Sequence, residues 1–378
     1  MLRSALLDMR SRTSHSYSPD RAAVTDSDKI NISSDLLREF LTKIFKAVGC
    51  DNDTARLCAL GVVDADLHGH HIQGTDHIYS TVRELRAGRL NGRPKIAITH
   101  ETAATARVYG DGGPGHVTGI FAADLAIKKA KGAGIGAVAL VGGGDIFRLG
   151  YYAGSIASAG MTAMVFTNTH PVRVHPAGGI DRLLGTNPVA FAFPRSDGEP
   201  IVMDLATSTS AIGHVRIASY SGASIEAGIA LDQTGAPTTD ARAALDGSLT
   251  PLGGHKGFAL GLAVGLFSGP IIGAVLGSEL EKALAAGEGE RRRGHLFVAL
   301  DPAAFGDPAV SAERISRYAA ELKRSRKAPG VDEIYLPGER GQRNRQRFER
   351  EGIPLDRAIW ENTVRIGREV GIEAPSIE

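Results

Sequence analysis

Asp204-Leu205-Ala206-Thr207-Ser208 follows the short apolar run Ile201–Met203, so a strand ends where two hydroxyl residues begin. Four other glycine-punctuated stretches share its character: Leu184-Gly185-Thr186-Asn187-Pro188, Gly253-Gly254-His255-Lys256-Gly257, Pro337-Gly338-Glu339, and the run ADLHGHHIQGTDH from Ala65 to His77. Glycines let backbone N–H groups come close to a ligand, hydroxyls and a lysine bond phosphate oxygens, and an aspartate can orient a ribose. Such parts suit a dinucleotide held without a standard phosphate loop.

One segment does imitate such a loop. Gly110-Asp111-Gly112-Gly113-Pro114-Gly115 spells G-x-G-x-x-G between an expected strand, Thr105–Tyr109, and an expected helix, Val117–Lys131. Pro114 removes an N–H where a phosphate needs one, and no acidic residue ends the next strand, Ala137–Val141, to hold a ribose. The reading is a tight strand-to-helix turn. Further strands are expected at Lys95–His100, Thr162–Thr167, Pro188–Phe193 and Ile201–Met203. Their alternation with helices is too irregular for a doubly wound sheet, and a mixed α/β fold is expected.

Ser33-Ser34-Asp35 offers an N-cap to a helix with apolar residues from Leu36 to Phe45, and a second helix follows Asp53. Ile78–Ala87 is a third. A long polar loop is expected over about 219–250, and the last third reads as mainly helical, with Ala312–Lys323, Arg340–Glu351 and Leu355–Val370. From Gly257 to Gly277 glycine recurs at every fourth position in an almost uncharged run. Gly269-Pro270 breaks it near the middle, which favours a buried, closely packed helix over a membrane span. Residues 1–30 lack a continuous apolar core and read as a disordered extension; residues 31–378 read as one catalytic unit, with a cofactor-binding portion at about 135–255.

The chain has 378 residues, a formal net charge of +1 and 22% charged residues, which gives no electrostatic case for nucleic acid or an anionic membrane. Its 47 glycines are the anomaly, well above the usual level of about 7%, and they fit tight turns and ligand-hugging loops. Two cysteines, Cys50 and Cys58, form neither a disulfide framework nor a paired metal site, and they suit a reducing cytoplasm.

From Ser33 to about Ile372 the ordered segments resemble the type-2 malate/L-lactate dehydrogenase family. The resemblance rests on GTNP, D-x-A-T-S, the Lys-Gly of GGHKG, PGE, the Pro176–Gly179 turn and Ala299–Pro302. It implies a mixed α/β, non-Rossmann fold with helical ends, NAD or NADP as cofactor, and a homodimer with its active site near the subunit interface. It also implies cofactor contacts from Asp204, Leu205, Ala206, Thr207, Ser208, His255, Lys256, Gly257, Gly338, Glu339 and Arg340. Lys256 and backbone amides can neutralise a pyrophosphate, with Thr207 and Ser208 supplying hydroxyl bonds. The implied chemistry is hydride transfer between a nicotinamide and a small 2-oxo or 2-hydroxy acid, or reduction of a cyclic imino acid.

The departures fall on proton transfer. Where the family pattern is G-x-D-S-H-G-x-x-R, this chain has His71 for Asp, Ile72 for Ser, Gln73 for His and His77 for Arg. Where it has N-S-x-H-x-G, this chain has Gly142–Phe147, with Asp145 for the histidine. In one reading the work has moved. Asp145 exchanges a proton if burial raises its pKa, Arg148 clamps a substrate carboxylate, and His70, His71 and His77 lie nearby. Gln73 completes the catalytic set as a hydrogen-bonding group that cannot exchange a proton. The candidates are therefore Asp145, His71 and Gln73 for catalysis, and Arg148, His77 and His70 for substrate. In the other reading the chain binds NAD(P)H without the parent chemistry.

His68, His70, His71 and His77 lack the H-x-x-x-H spacing of a zinc helix, so no metal is expected. Glu290-Arg291-Arg292-Arg293 and the arginines between 340 and 350 sit among glutamates without aromatic interleaving, and they read as solvated helical faces rather than nucleic-acid patches.

Overall fold

The computed structural model describes residues 29–377. Of the expected extension, residues 1–28 lie outside the described residues, while Lys29 and Ile30 already belong to a strand. That strand, β1 (Lys29–Ile32), leads into α1 (Ser34–Ala47), α2 (Asn52–Leu67) and α3 (Ile78–Arg86). α1 buries Leu37, Phe40, Leu41, Ile44 and Phe45, the stripe that three-and-four spacing dictates. Asp51 caps α2 by accepting the Thr54 N–H at 2.8 Å. Ser33 holds the N-cap position of α1, but its hydroxyl makes no capping bond.

Next come β2 (Ala97–Glu101), β3 (Thr105–Gly113), α4 (Gly115–Ala133), β4 (Ile135–Gly143), α5 (Leu149–Ser158), β5 (Thr162–Thr167), β6 (Val189–Phe193) and β7 (Ile201–Leu205). They are followed by α6 (Ile212–Ser221), β8 (Ala230–Leu231), β9 (Pro237–Thr238), α7 (Ala241–Asp246) and β10 (Ser248–Leu249). The last part holds α8 (His255–Ser268), α9 (Gly277–Ala285), α10 (Gly289–Arg292), β11 (Gly294–Leu300), α11 (Pro308–Lys323), α12 (Glu339–Glu351), β12 (Ile353–Asp356) and α13 (Arg357–Glu369).

The central sheet has the order β2-β3-β4-β11-β5-β6-β7, and only β3 and β4 run parallel. It is a mixed sheet, as expected, with α4 and α5 packed on it through Ala122, Ala126, Leu149, Tyr152 and Ile156. A separate core joins α1, α2 and α3 to Phe348, Leu355, Trp360 and Ile366 from the end of the chain, and β1 pairs antiparallel with β12.

The C-terminal third is mainly helical, as expected, and it also supplies β11, which inserts between β4 and β5 at the middle of the sheet. Two expectations need correction. The segment 219–250 is not a loop but the end of α6, the helix α7 and a small sheet of order β10-β8-β9. The glycine-stepped run is not one buried helix. His255–Ile272 is long and apolar enough to cross a membrane, yet α8 ends at Ser268 before a short 3-10 turn, Pro270–Ile272. Its glycine face is buried, while Leu260, Leu262, Leu266 and Phe267 are exposed on the other side.

Candidate active site

Three of the five glycine-punctuated stretches, at 184–188, 204–208 and 253–257, meet at the end of β7. Thr207 donates its hydroxyl to the carbonyls of Thr186 (3.0 Å) and Asn187 (3.1 Å), and the Asn187 amide donates to the Gly261 carbonyl in α8 at 2.9 Å. The Leu252 N–H completes the junction by bonding the Thr207 carbonyl at 2.9 Å. Ser208 donates to the Ser210 carbonyl at 2.8 Å. Both hydroxyls are thus turned inward, contrary to the expectation that they bond phosphate. What this corner offers a ligand is its backbone and the start of α8.

That start is open. Gly253 and Gly254 take left-handed conformations (φ 60° and 68°) with free space where a Cβ would stand, and His255 and Lys256 are exposed. An unencumbered helix N-terminus carrying a lysine suits a pyrophosphate, because the dipole and the ammonium both favour negative charge. Gly257 is buried against Leu252. Leu205 and Ala206 are half-buried, and Asp204 accepts the Gly150 N–H at 2.7 Å, which ties β7 to the start of α5. Solvent reaches Asp204, but its crowded surroundings raise its carboxyl above the ordinary range.

At the other end of β7, Gly338 lies against Val202. The Glu339 carboxylate accepts the Leu336 N–H at 3.0 Å and pairs with Lys323 and Arg343, and Arg340 lies 4.6 Å over the Tyr335 ring. A cleft of about 230 Å³ opens here, bounded by Arg195, Glu199, Lys323, Pro337 and Arg343. Glu339 lines the cleft with its carboxylate already paired, and the Arg340 guanidinium is spent on the Tyr335 ring.

The proton-handling side is built from the end of α2 and two 3-10 turns, His71–Gln73 and Thr75–His77. Arg148 is not free to clamp a substrate. Its Nε and Nη2 both bond Asp64 Oδ2, at 3.1 and 2.8 Å. His68 bonds the Asp64 carbonyl through Nδ1 at 2.7 Å. Burial, reinforced by Arg148, pushes His70 down to about 4. Gln73 is half-buried. His71 Nδ1 lies 2.9 Å from Asp66 Oδ1, and Asp66 is fully buried.

Asp145 differs most from expectation. Burial alone would raise its carboxyl, but the Arg293 guanidinium at 3.2 Å outweighs that, with help from His77 and the Phe147 N–H, and holds it well below the usual carboxylate range. It is an ionised anchor, not a raised-pKa acid. Arg293 is 1% exposed and also bonds Glu290 at 3.1 Å, so this part of the arginine run is buried rather than solvated. Phe147 (φ 54°) stacks between His77, edge-on at 4.7 Å, and His116, at 4.8 Å. Burial lowers His77 below the ordinary histidine range despite the nearby Asp145.

Sequence reasoning did not single out Asp64, Asp66, His116 or His170, and it read Glu290 and Arg293 as part of a solvated face. His170 stands 3.6 Å from Glu290, beside the same arginine. The available signal was Arg293 itself, a charge directly before the apolar strand Gly294–Leu300. Among the described residues no group of three or more His, Cys, Asp or Glu is arranged to hold a metal ion.

Comparison with known proteins matches residues 32–363 to the family described as malate/L-lactate dehydrogenase. The malate dehydrogenase of Pyrococcus horikoshii is 34% identical over 356 residues, covering 92% of this chain and 98% of that one. A reductase of Pseudomonas putida described as acting on Delta(1)-pyrroline-2-carboxylate and Delta(1)-piperideine-2-carboxylate is 31% identical, covering 88% and 96%. The solved sulfolactate dehydrogenase of Methanocaldococcus jannaschii superposes with a TM-score of 0.84 at 33% identity, over 91% of this chain and 98% of that one. With its fold and nearly its whole length accounted for in this way, the chain belongs to the malate/L-lactate dehydrogenase family of oxidoreductases.

Proposed function

We propose that the protein is an NAD(P)-dependent oxidoreductase that interconverts a small 2-oxo acid and the corresponding 2-hydroxy acid. The observation that carries this is the convergence of Thr186–Asn187, Asp204–Ser208, Gly253–Gly257 and Gly338 on β7, with the open start of α8 beside them. Lys256 and the first N–H groups of α8 would hold the pyrophosphate, and Asp204 would meet a ribose or ring. A bound nicotinamide supplies or accepts the hydride. The chain's own contribution is to hold the acid, exclude water and manage the proton.

A cyclic imino acid is the second reading, and Asp145 favours it. An ionised carboxylate, fixed by Arg293 and 40% exposed, suits a protonated C=N nitrogen better than a neutral carbonyl. The test is purified protein screened with 2-oxo acids and cyclic imines against NADH and NADPH, read as loss of reduced-nicotinamide absorbance. Turnover of an oxo acid supports the first reading, and turnover of imines alone supports the second. Tight dinucleotide binding without any turnover would identify a cofactor-binding relic instead.

We also infer a cytoplasmic homodimer. The buried free thiols Cys50 and Cys58 accord with a reducing compartment. Leu260, Leu262, Leu266, Phe267 and Ile271 form an apolar face that a second copy would cover. Light scattering that gave a monomer at micromolar concentration would remove the dimer.

A further inference from the structure

The run from Asp66 to His77 contains a side-chain arrangement that the parent motif does not foreshadow. Asp66 is fully buried and takes three bonds: the Thr75 N–H at 3.0 Å and the Thr75 hydroxyl at 2.5 Å on Oδ2, and His71 Nδ1 at 2.9 Å on Oδ1. With both Thr75 donors on Oδ2, an Asp66 carboxylate can only accept at Oδ1, and the arrangement it favours puts the proton of the His71 bond on Nδ1. The other ring nitrogen, Nε2, is left with its lone pair, and the His71 side chain is 29% exposed. Gly74 makes the pairing possible, because a Cβ there would stand 2.3 Å from the Asp66 carboxylate.

The turn that carries His71 lies near the segments that flank the candidate cofactor stretch. Ile72 fills the space against Gly213, at the start of α6, a few residues beyond Ser208. On the other side, His70 lies in the field of Arg148, and Arg148 and Asp204 both close around Gly150. The ring is thus oriented by a buried carboxylate and partly exposed, on a turn whose neighbouring residues Ile72 and His70 lie against Gly213 and in the field of Arg148.

We propose that His71 is the proton donor and acceptor of this enzyme and that Asp66 is its positioning residue. The assignment rests on the oxidoreductase reading above. In the reducing direction the substrate carbonyl carbon gains a hydride from the reduced nicotinamide dinucleotide. The C=O π pair moves onto oxygen, and that oxygen takes the proton from His71 Nε2. The ring returns to its neutral Nδ1–H form, and Asp66 remains a carboxylate. In oxidation the Nε2 lone pair takes the hydroxyl proton as the hydride leaves carbon for the oxidised nicotinamide. Asp66 fixes the tautomer and stabilises the charged ring in both directions, and it exchanges no proton itself.

Two measurements test this. The first compares wild type, His71→Ala and Asp66→Asn on the substrate that the oxo-acid and imine screen identifies, alongside fluorescence titration with NADH and NADPH. His71→Ala should lower kcat by roughly 10²–10⁴-fold with dinucleotide affinity unchanged, and added imidazole should restore part of the loss. Asp66→Asn should lower kcat without rescue by imidazole. The second is long-range ¹H–¹⁵N NMR of histidine-labelled protein, with His71 assigned by its disappearance in His71→Gln. Wild type should show the Nδ1–H tautomer, and Asp66→Asn should convert it to Nε2–H, a change that loss of packing alone would not produce. If Asp66→Asn fails to fold, His71→Ala and the wild-type tautomer decide. Wild type active and His71→Ala equally active, or an Nε2–H wild-type tautomer, overturns the assignment alone. Wild type inactive on every acid and imine overturns the oxidoreductase reading, and this assignment with it.

Discussion

Around the end of β7 the polar side chains turn inward and the backbone is left open, whereas around the 64–77 turn the charged side chains are mostly buried in pairs. Thr207 and Ser208 spend their hydroxyls on carbonyls of neighbouring loops. Asp64 holds Arg148, Asp66 holds His71, and Arg293 holds Asp145. One region presents the shape of its main chain, the other charges locked in pairs. A backbone site tolerates few sequence changes, because glycines and tight turns have few substitutes. A paired-charge site can be rewritten two residues at a time. The departures from the family pattern lie in the second kind of region.

The strongest way to break this contrast is to remove one member of a buried pair. Arg293→Met should destabilise the fold by about 3 kcal/mol, the lower end for a broken buried pair because Asp145 is partly open, as read from denaturant unfolding. A loss within experimental scatter would mean that the pair does not hold the region together.

Acid should find the same region. Burial pushes His116 down to about 4 and His295 down to about 3, so the unfolded chain binds protons that the folded chain refuses. A depressed histidine contributes stability that is complete above its unfolded value near pH 6.5 and is lost as pH falls toward the folded value. Each ring should cost about 1.4 kcal/mol per pH unit in that window. Urea unfolding at pH 7 and pH 5 measures the slope, and His116→Leu should reduce it by about one proton's worth. An unchanged slope would count against the assignment, whatever the variant's overall stability.

On the backbone side, Lys256→Ala should weaken NADH or NADPH binding by about 1.5–3 kcal/mol while leaving unfolding unchanged, because the residue is exposed. Thr207→Val should do the reverse at smaller scale. It should cost about 1 kcal/mol of stability for the lost hydroxyl bonds and leave dinucleotide affinity intact. Weakened binding in Thr207→Val would restore the hydroxyl to the ligand and erase part of the contrast.

Much of the backbone side was legible in the sequence, because it is written in local turn chemistry. The order of the glycine stretches, the strand at Ile201 and the helix after Gly254 need no distant partner to be read. The paired-charge side was legible only in its candidates. Arg293 looked solvated because its neighbours in sequence are charged, while Asp145, the group that faces it from outside its own segment, lies far back along the chain. Arg148 looked free because Asp64 approaches it from α2. β11 escaped notice for the same reason: its pairing partners β4 and β5 precede it by well over a hundred residues. The strands of the small sheet are two residues each, too short to show alternation.

The pairing of β1 with β12 reaches beyond the folded state. The core under the 64–77 turn takes Phe348, Leu355, Trp360 and Ile366 from a segment made well after the central sheet. Until that part has emerged, α1 and α2 pack on each other, and α2 on α4, but they lack these four apolar partners. The central sheet can be assembled by then, since β11 ends at Leu300. Translation therefore orders the two halves: the corner at the end of β7 can form on the nascent chain before the segment from Phe348 to Ile366 has emerged to complete the core under the histidine turn. Contacts of such long sequence separation close slowly. A truncation before α13 should accordingly yield a chain with a formed sheet and an unsealed N-terminal pair of helices, the state in which a chaperone would meet it.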